Sequence, residues 1–114
     1  MKLKSIYMLV ILAFFGVTLI GQEKIEEANI KVLGNCNMCK ERIEGSLKIE
    51  EVKFAKWDKK SKNLKIAYSN SLSLDSLKQR IAAVGHDTEE IKAADSVYTK
   101  LPDCCLFRDN AKTH

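Results

Sequence analysis

Apolar and polar residues alternate over three stretches of the chain, and this alternation is typical of half-buried strands. The first stretch covers 28–33, the second covers 52–57 and the third covers 64–68. The polar run between the second and third stretches predicts the turn of a hairpin. A weaker pattern over 88–93 predicts a fourth strand.

Two further stretches repeat their apolar residues every three or four positions, which predicts amphipathic helices over 37–48 and 74–84. Gly85 follows the second stretch and predicts its end, because glycine readily adopts the backbone conformation that terminates a helix. The order is therefore β-α-β-β-α-β. It predicts an α+β, ferredoxin-like fold, in which a four-stranded antiparallel sheet carries two helices on one face.

The N-terminus has the composition of a signal peptide. Lys2 and Lys4 precede a run of fifteen residues without charge, Ile6–Ile20. A membrane-spanning helix needs about 20 apolar residues, so this run is short for a span and suits the apolar region of a signal peptide. We therefore predict a signal peptide over 1–21 and a periplasmic or secreted protein. An uncleaved membrane anchor is the alternative.

The remaining chain is expected to form one domain over 22–94, followed by a cysteine-containing tail over 95–114. Without Lys2 and Lys4, seventeen basic residues stand against fifteen acidic ones, and the two signs are interleaved. This balance gives no reason to expect nucleic acid as a partner. The sequence shows no paired carboxylates, Ser/His/Asp set or phosphate-binding loop, so we expect neither an enzyme nor a small-molecule substrate.

Cys36 and Cys39 form a C-x-x-C motif where the first predicted helix begins. The helix N-terminus, together with Lys40 and Arg42 nearby, favours the thiolate form of these side chains. Thiolates are the ligands that soft ions such as Cu(I) and Zn(II) prefer. A site with only two protein thiolates leaves coordination positions open, and a partner protein could fill them, as a metal carrier requires.

Other uses of the C-x-x-C motif remain open at this point. A structural zinc site would need a second spaced pair, whereas Cys104 and Cys105 are adjacent. A thiol–disulfide oxidoreductase also places C-x-x-C at the start of a helix. The predicted strand order is not that of a thioredoxin-like fold, and the single proline, Pro102, lies far downstream of the motif. A cysteine pair without a function is the last alternative.

Residues 34–44, GNCNMCKERIE, match the pattern G-x-C-x-x-C-x-x-x-I-E. Val52 and the Gly-His-Asp run at 85–87 add further agreement. On these residues the chain resembles the heavy-metal-associated domain family, which includes copper chaperones, periplasmic mercury-binding proteins and N-terminal modules of copper-transporting ATPases. The resemblance covers about residues 28–93.

The resemblance implies a ferredoxin-like fold, metal ligation by Cys36 and Cys39, and metal delivery or sequestration rather than catalysis. It implies Cu(I) as the first candidate ion, with Zn(II), Hg(II) and Cd(II) as others. The expected partner is a metal-transporting membrane ATPase or another metal-handling protein. A two-thiolate site also permits a dimer bridged by the ion.

The chain departs from the family at three places. Gly34 stands where copper-binding members often carry Met, which leaves the choice of metal open. His86 could donate a third ligand from the turn after the second helix, or could be a solvated turn residue. Cys104 and Cys105 lie beyond the family's core and could act as extra thiolates, form a disulfide or do neither.

Overall fold

The structure is a computed structural model that describes residues 23–109. The predicted signal peptide over 1–21 lies outside the described residues and stays a prediction. Within the described part, no helix is long and apolar enough to span a membrane. The elements in chain order are β1 (Ile25–Lys31), α1 (Asn37–Gly45), β2 (Val52–Trp57), β3 (Asn63–Ser69), α2 (Leu74–Ala83), α3 (Asp95–Tyr98) and a short 3₁₀ helix (Asp103–Cys105).

The three strands form one antiparallel sheet in the order β1-β3-β2. Ile30 lies opposite Leu64 across the pair β1 and β3, and both side chains are buried. The predicted alternation is confirmed here, since Leu64 and Ile66 face the core two residues apart in β3. The hairpin between β2 and β3 turns at Lys62, which has a positive φ of 65°.

The two longer helices contribute their apolar faces to the same core as the sheet. Ile43 of α1 and Leu77 and Ile81 of α2 belong to one hydrophobic cluster with the inward residues of β1 and β3. Ser73 begins α2 because its hydroxyl accepts a hydrogen bond from a backbone N–H of the first turn. The predicted helices are therefore confirmed. Gly85 follows α2 with a φ of +104°, as a helix-terminating glycine requires.

The predicted fourth strand over 88–93 is wrong, and the sheet has three strands. Only an isolated bridge between Val32 and Thr88 marks the place where a fourth strand would pair with β1. The cause is local. The backbone N–H of Thr88 donates to the Ile91 carbonyl, and the Thr88 hydroxyl accepts from the Ile91 N–H. These bonds close the segment on itself, so its backbone groups are not free to form a ladder.

The C-terminal segment, residues 95–109, packs on the domain. Tyr98, Leu101, Cys105 and Phe107 are buried and join the main hydrophobic cluster. The edge of the Tyr98 ring meets Phe107, with their centroids 5.1 Å apart. The core of the protein therefore includes residues that the sequence analysis assigned to a tail.

Arg108 fixes the end of the C-terminal segment. Its guanidinium donates two hydrogen bonds to the Asp87 carboxylate, at 2.8 and 3.0 Å, in a bidentate pair. The same group donates to the Ala93 carbonyl at 2.7 Å and to Asp95 at 3.0 Å. It also lies over the Tyr98 ring, 4.2 Å from the centroid. Because Asp87 is almost fully buried, this pairing ties the segment to the turn after α2.

Candidate metal centre

All four cysteines of the chain meet at one place, and Cys36 lies at its centre. The Cys36 sulfur is 3.3 Å from that of Cys39, 3.5 Å from that of Cys104 and 3.4 Å from that of Cys105. The sulfurs of Cys104 and Cys105 are 3.8 Å apart. All four are free thiols. Three of them, on Cys36, Cys104 and Cys105, lie mutually within 4.8 Å and could hold a metal ion.

The C-x-x-C pair converges because of how α1 begins. Cys36 is the N-cap residue and has an extended backbone, with a φ of −145°. Cys39 lies in the first turn of the helix and is buried against the core. The backbone N–H of Asn35 donates to the Cys39 sulfur at 3.4 Å. The strand-to-helix turn thus brings both thiols to one point, as the motif predicts.

Adjacent cysteines reach the same point because their backbone turns. The 3₁₀ helix Asp103–Cys105 is closed by a hydrogen bond from the Cys105 N–H to the Pro102 carbonyl, at 2.8 Å. In an extended backbone, neighbouring side chains would point to opposite sides. The turn therefore allows the adjacent Cys104 and Cys105 to approach one point together.

The electrostatic surroundings of the thiols differ. Burial raises the pKa of Cys36, but a hydrogen bond from the Cys39 backbone and bonds from the neighbouring thiols outweigh it and lower this pKa to about 7. Burial raises the pKa of Cys105, although the Arg42 guanidinium donates to its sulfur at 3.3 Å and acts in the opposite direction. The hydrogen bond to Cys36 raises the pKa of Cys104. Cys36 is therefore the group that most readily becomes a thiolate.

His86 lies in the core rather than among the sulfurs. Its ring is 0% exposed, so it is not the solvated turn residue that one alternative supposed. Its Nδ1 lies 2.8 Å from the Leu33 carbonyl, which can only accept, so Nδ1 carries the hydrogen. The ring stacks on Phe107, with centroids 5.4 Å apart. Among the described residues, His86 does not belong to the group that could hold a metal ion.

Two contacts, one at the cluster itself and one that holds the C-terminal segment, were not predicted from the sequence. The Met38 thioether lies 3.6 Å from the Cys104 sulfur, and its side chain is 48% exposed. The Arg108 pair with Asp87, which holds the C-terminal segment in place, joins residues that are 21 positions apart. No periodic signal in the sequence marks either contact.

The donor set fits a soft metal ion, because every converging side chain offers sulfur. Among Cys36, Cys104 and Cys105 the sulfur separations are 3.4–3.8 Å, at or just below the separation of about 3.8 Å that a tetrahedral site with metal–sulfur bonds of about 2.3 Å requires. Cys39 lies 3.3 Å from Cys36 but outside this group of three, so its side chain would have to turn toward the other sulfurs to bind the same ion.

An α+β fold with a thiol cluster at a strand-to-helix turn can be compared with known proteins. No protein-family model matches the sequence, and neither does any curated protein. Among solved structures, the chain is similar to one titled "CopZ metallochaperone", with a TM-score of 0.53 and 24% sequence identity. The match covers 55% of this chain and 98% of that one. At this identity the likeness establishes a shared fold.

Proposed function

We propose that this protein binds a soft metal ion between Cys36 and Cys39, with Cu(I) as the first candidate, and carries or sequesters it. The observation that carries the proposal is the position of the Cys36 sulfur, within 3.5 Å of three other cysteine sulfurs. The fold shared with a protein titled a metallochaperone is consistent with this role. Zn(II), Hg(II) and Cd(II) suit the same donors.

The mechanism we infer is ligand exchange. Cys36 has a pKa of about 7, so much of it is already thiolate at neutral pH and can take an ion with little cost of deprotonation. A thiolate of a partner protein then attacks the bound ion, and the ion moves without release to water. The exposed Met38 marks the side from which a partner could approach.

We further propose that the protein acts outside the cytoplasm, in the periplasm or beyond, because residues 1–21 have the composition of a signal peptide. The partner would be a metal-transporting membrane ATPase or another metal-handling protein. Such a compartment oxidises thiols, so the site would need to stay loaded with metal or depend on a local reductant.

A Cu(I) titration against a chromophoric competitor, under anaerobic reducing conditions, tests the proposal. We expect the protein to take up Cu(I) with high affinity and the double variant Cys36→Ser/Cys39→Ser to lose this affinity. Met38→Leu is the matched control, because it removes a neighbouring sulfur and should leave the affinity unchanged. Equal binding by the protein and the double variant would contradict the proposal.

A thiol–disulfide redox function is the second candidate, and one observation favours it. The thiol of Cys36 has a lowered pKa and lies 3.3 Å from the thiol of Cys39. This is the arrangement of an attacking thiolate and a resolving thiol, which together give up two electrons and two protons when they form a disulfide. A redox protein would reduce insulin disulfides and bind Cu(I) weakly, whereas a metal carrier would do the reverse.

A further inference from the structure

Cys104 and Cys105 are held at the C-x-x-C motif by contacts that do not involve sulfur. The C-terminal segment is fixed by Phe107, which stacks on His86, and by Arg108, which pairs with Asp87. These contacts determine where the 3₁₀ helix lies. Residues outside the sulfur cluster therefore hold the two cysteines beside Cys36. Proteins preorganise ligands in this way.

The contacts of Cys105 distinguish a metal ligand from a cysteine that only fills space in the hydrophobic core. A buried cysteine commonly behaves as a small hydrophobic residue. Cys105 is 0% exposed, yet the Arg42 guanidinium donates to its sulfur at 3.3 Å. A partly buried guanidinium gains little from a neutral thiol, whereas beside a metal-bound thiolate it offsets negative charge. The contact is therefore what a thiolate ligand at this position requires.

We propose that Cys104 and Cys105 are metal ligands beside Cys36, and that Cys39, which lies 3.3 Å from Cys36 but outside this group of three, turns toward them to complete a closed centre of four thiolates for one soft ion. This inference deepens the proposed function and rests on it. Each thiol that binds the ion releases one proton, and Arg42 offsets part of the resulting negative charge. Because a centre closed by four protein ligands has no open position, a partner thiolate would first have to displace one of them, so the ligand exchange inferred above becomes slow. The protein accordingly sequesters metal rather than passing it on quickly.

The test counts thiolates with Cd(II) and Co(II) as probes, because the sulfur-to-metal charge-transfer absorbance grows with the number of bound thiolates. The protein is kept reduced and anaerobic with a phosphine. We expect four thiolates for the protein and two for Cys104→Ser/Cys105→Ser. The variant should also lose Cd(II) to a chelator at least about tenfold faster. Two thiolates and an unchanged rate of loss in both proteins would overturn the inference.

Two single variants keep the test decisive if the double variant does not fold. Cys104→Ser changes a partly exposed side chain and should reduce the thiolate count by one. Arg108→Gln keeps all four thiols but loosens the C-terminal segment, so Cd(II) loss should be about tenfold faster. Lys65→Gln, at an exposed position of β3, is the control and should change neither measurement. An unchanged count in Cys104→Ser would overturn the role of that residue.

The outcomes for this inference and for the proposed function are distinguishable. If the protein binds through Cys36 and Cys39 with two thiolates only, the proposed function stands and the closed centre is refuted. If Cys36→Ser/Cys39→Ser still binds through two thiolates, the ligand roles of Cys104 and Cys105 stand and the proposed C-x-x-C site is refuted. If the protein binds none of the probe ions, both are refuted.

Discussion

Mild acid should destabilise the fold through His86. The ring is buried, and its Nδ1 donates to the Leu33 carbonyl, so the neutral ring carries no hydrogen on Nε2. Among the described residues, no group forms a hydrogen bond with Nε2. Protonation would create a buried charge and an unpaired N–H. Burial accordingly lowers the pKa of His86 from 6.5 to about 4.

The expected loss follows from this shift. The unfolded chain binds a proton on the imidazole below its ordinary pKa of 6.5, whereas the folded protein binds it only below about 4. The contribution of His86 to stability is therefore fully present above pH 6.5 and is lost as the pH falls toward 4. Within this window each pH unit removes about 1.4 kcal/mol. Between pH 7 and 4.5 the free energy of unfolding should fall by about 2.5 kcal/mol.

Urea unfolding of the reduced, metal-free protein at the two pH values measures this change, with fluorescence of the single tryptophan, Trp57, as the signal. In His86→Gln the pH dependence should shrink by about 2.5 kcal/mol, although this variant is less stable at pH 7. His114→Gln, which removes the other histidine, is the matched control and should behave like the unsubstituted protein. If His86→Gln keeps the full pH dependence, another group causes it and the reasoning is refuted.

Three smaller perturbations test the packing around the site by urea denaturation. Gly34→Ala should cost about 1–3 kcal/mol, because its Cβ would lie 3.1 Å from the Trp57 ring; an unchanged midpoint would contradict this. Gly85→Ala should cost about 1–3 kcal/mol, since φ is +104° and the new Cβ would approach Leu101 to 2.9 Å. An unchanged midpoint would contradict both the backbone strain and the close approach to Leu101. Ser73→Ala should cost about 1 kcal/mol by removing the cap of α2, and Ser73→Asp, which restores an acceptor, should recover most of it.

The elements that could be predicted from the sequence are those whose burial is periodic. In β3, Leu64 and Ile66 alternate into the core, and in α2, Leu77 and Ile81 recur with the helical period. The convergence of the C-x-x-C cysteines could also be predicted from the sequence, because two cysteines three residues apart at a helix start converge by local geometry alone. These features depend on neighbours in the sequence.

The absence of a fourth strand over 88–93 and the packing of the C-terminal segment could not be predicted, because both depend on interactions that the sequence pattern does not report. At 88–93 the hydrogen bonds between Thr88 and Ile91 compete with strand pairing, and an apolar pattern does not report them. In the C-terminal segment the buried residues follow no single period. Its anchor, Arg108 with Asp87, is a tertiary contact that only the folded chain brings together.

The position of the C-terminal segment has a consequence for synthesis of the protein. The contacts from Cys36 to Cys104 and Cys105 span 68 and 69 residues. Translation proceeds at about 5–20 residues per second, so Cys36 and Cys39 leave the ribosome several seconds before the other two cysteines. During this interval the nascent chain has only the C-x-x-C pair, and its sulfur cluster is complete only after the 3₁₀ helix has docked. Ribosomes stalled before Cys104 would therefore display a dithiol that the finished protein encloses.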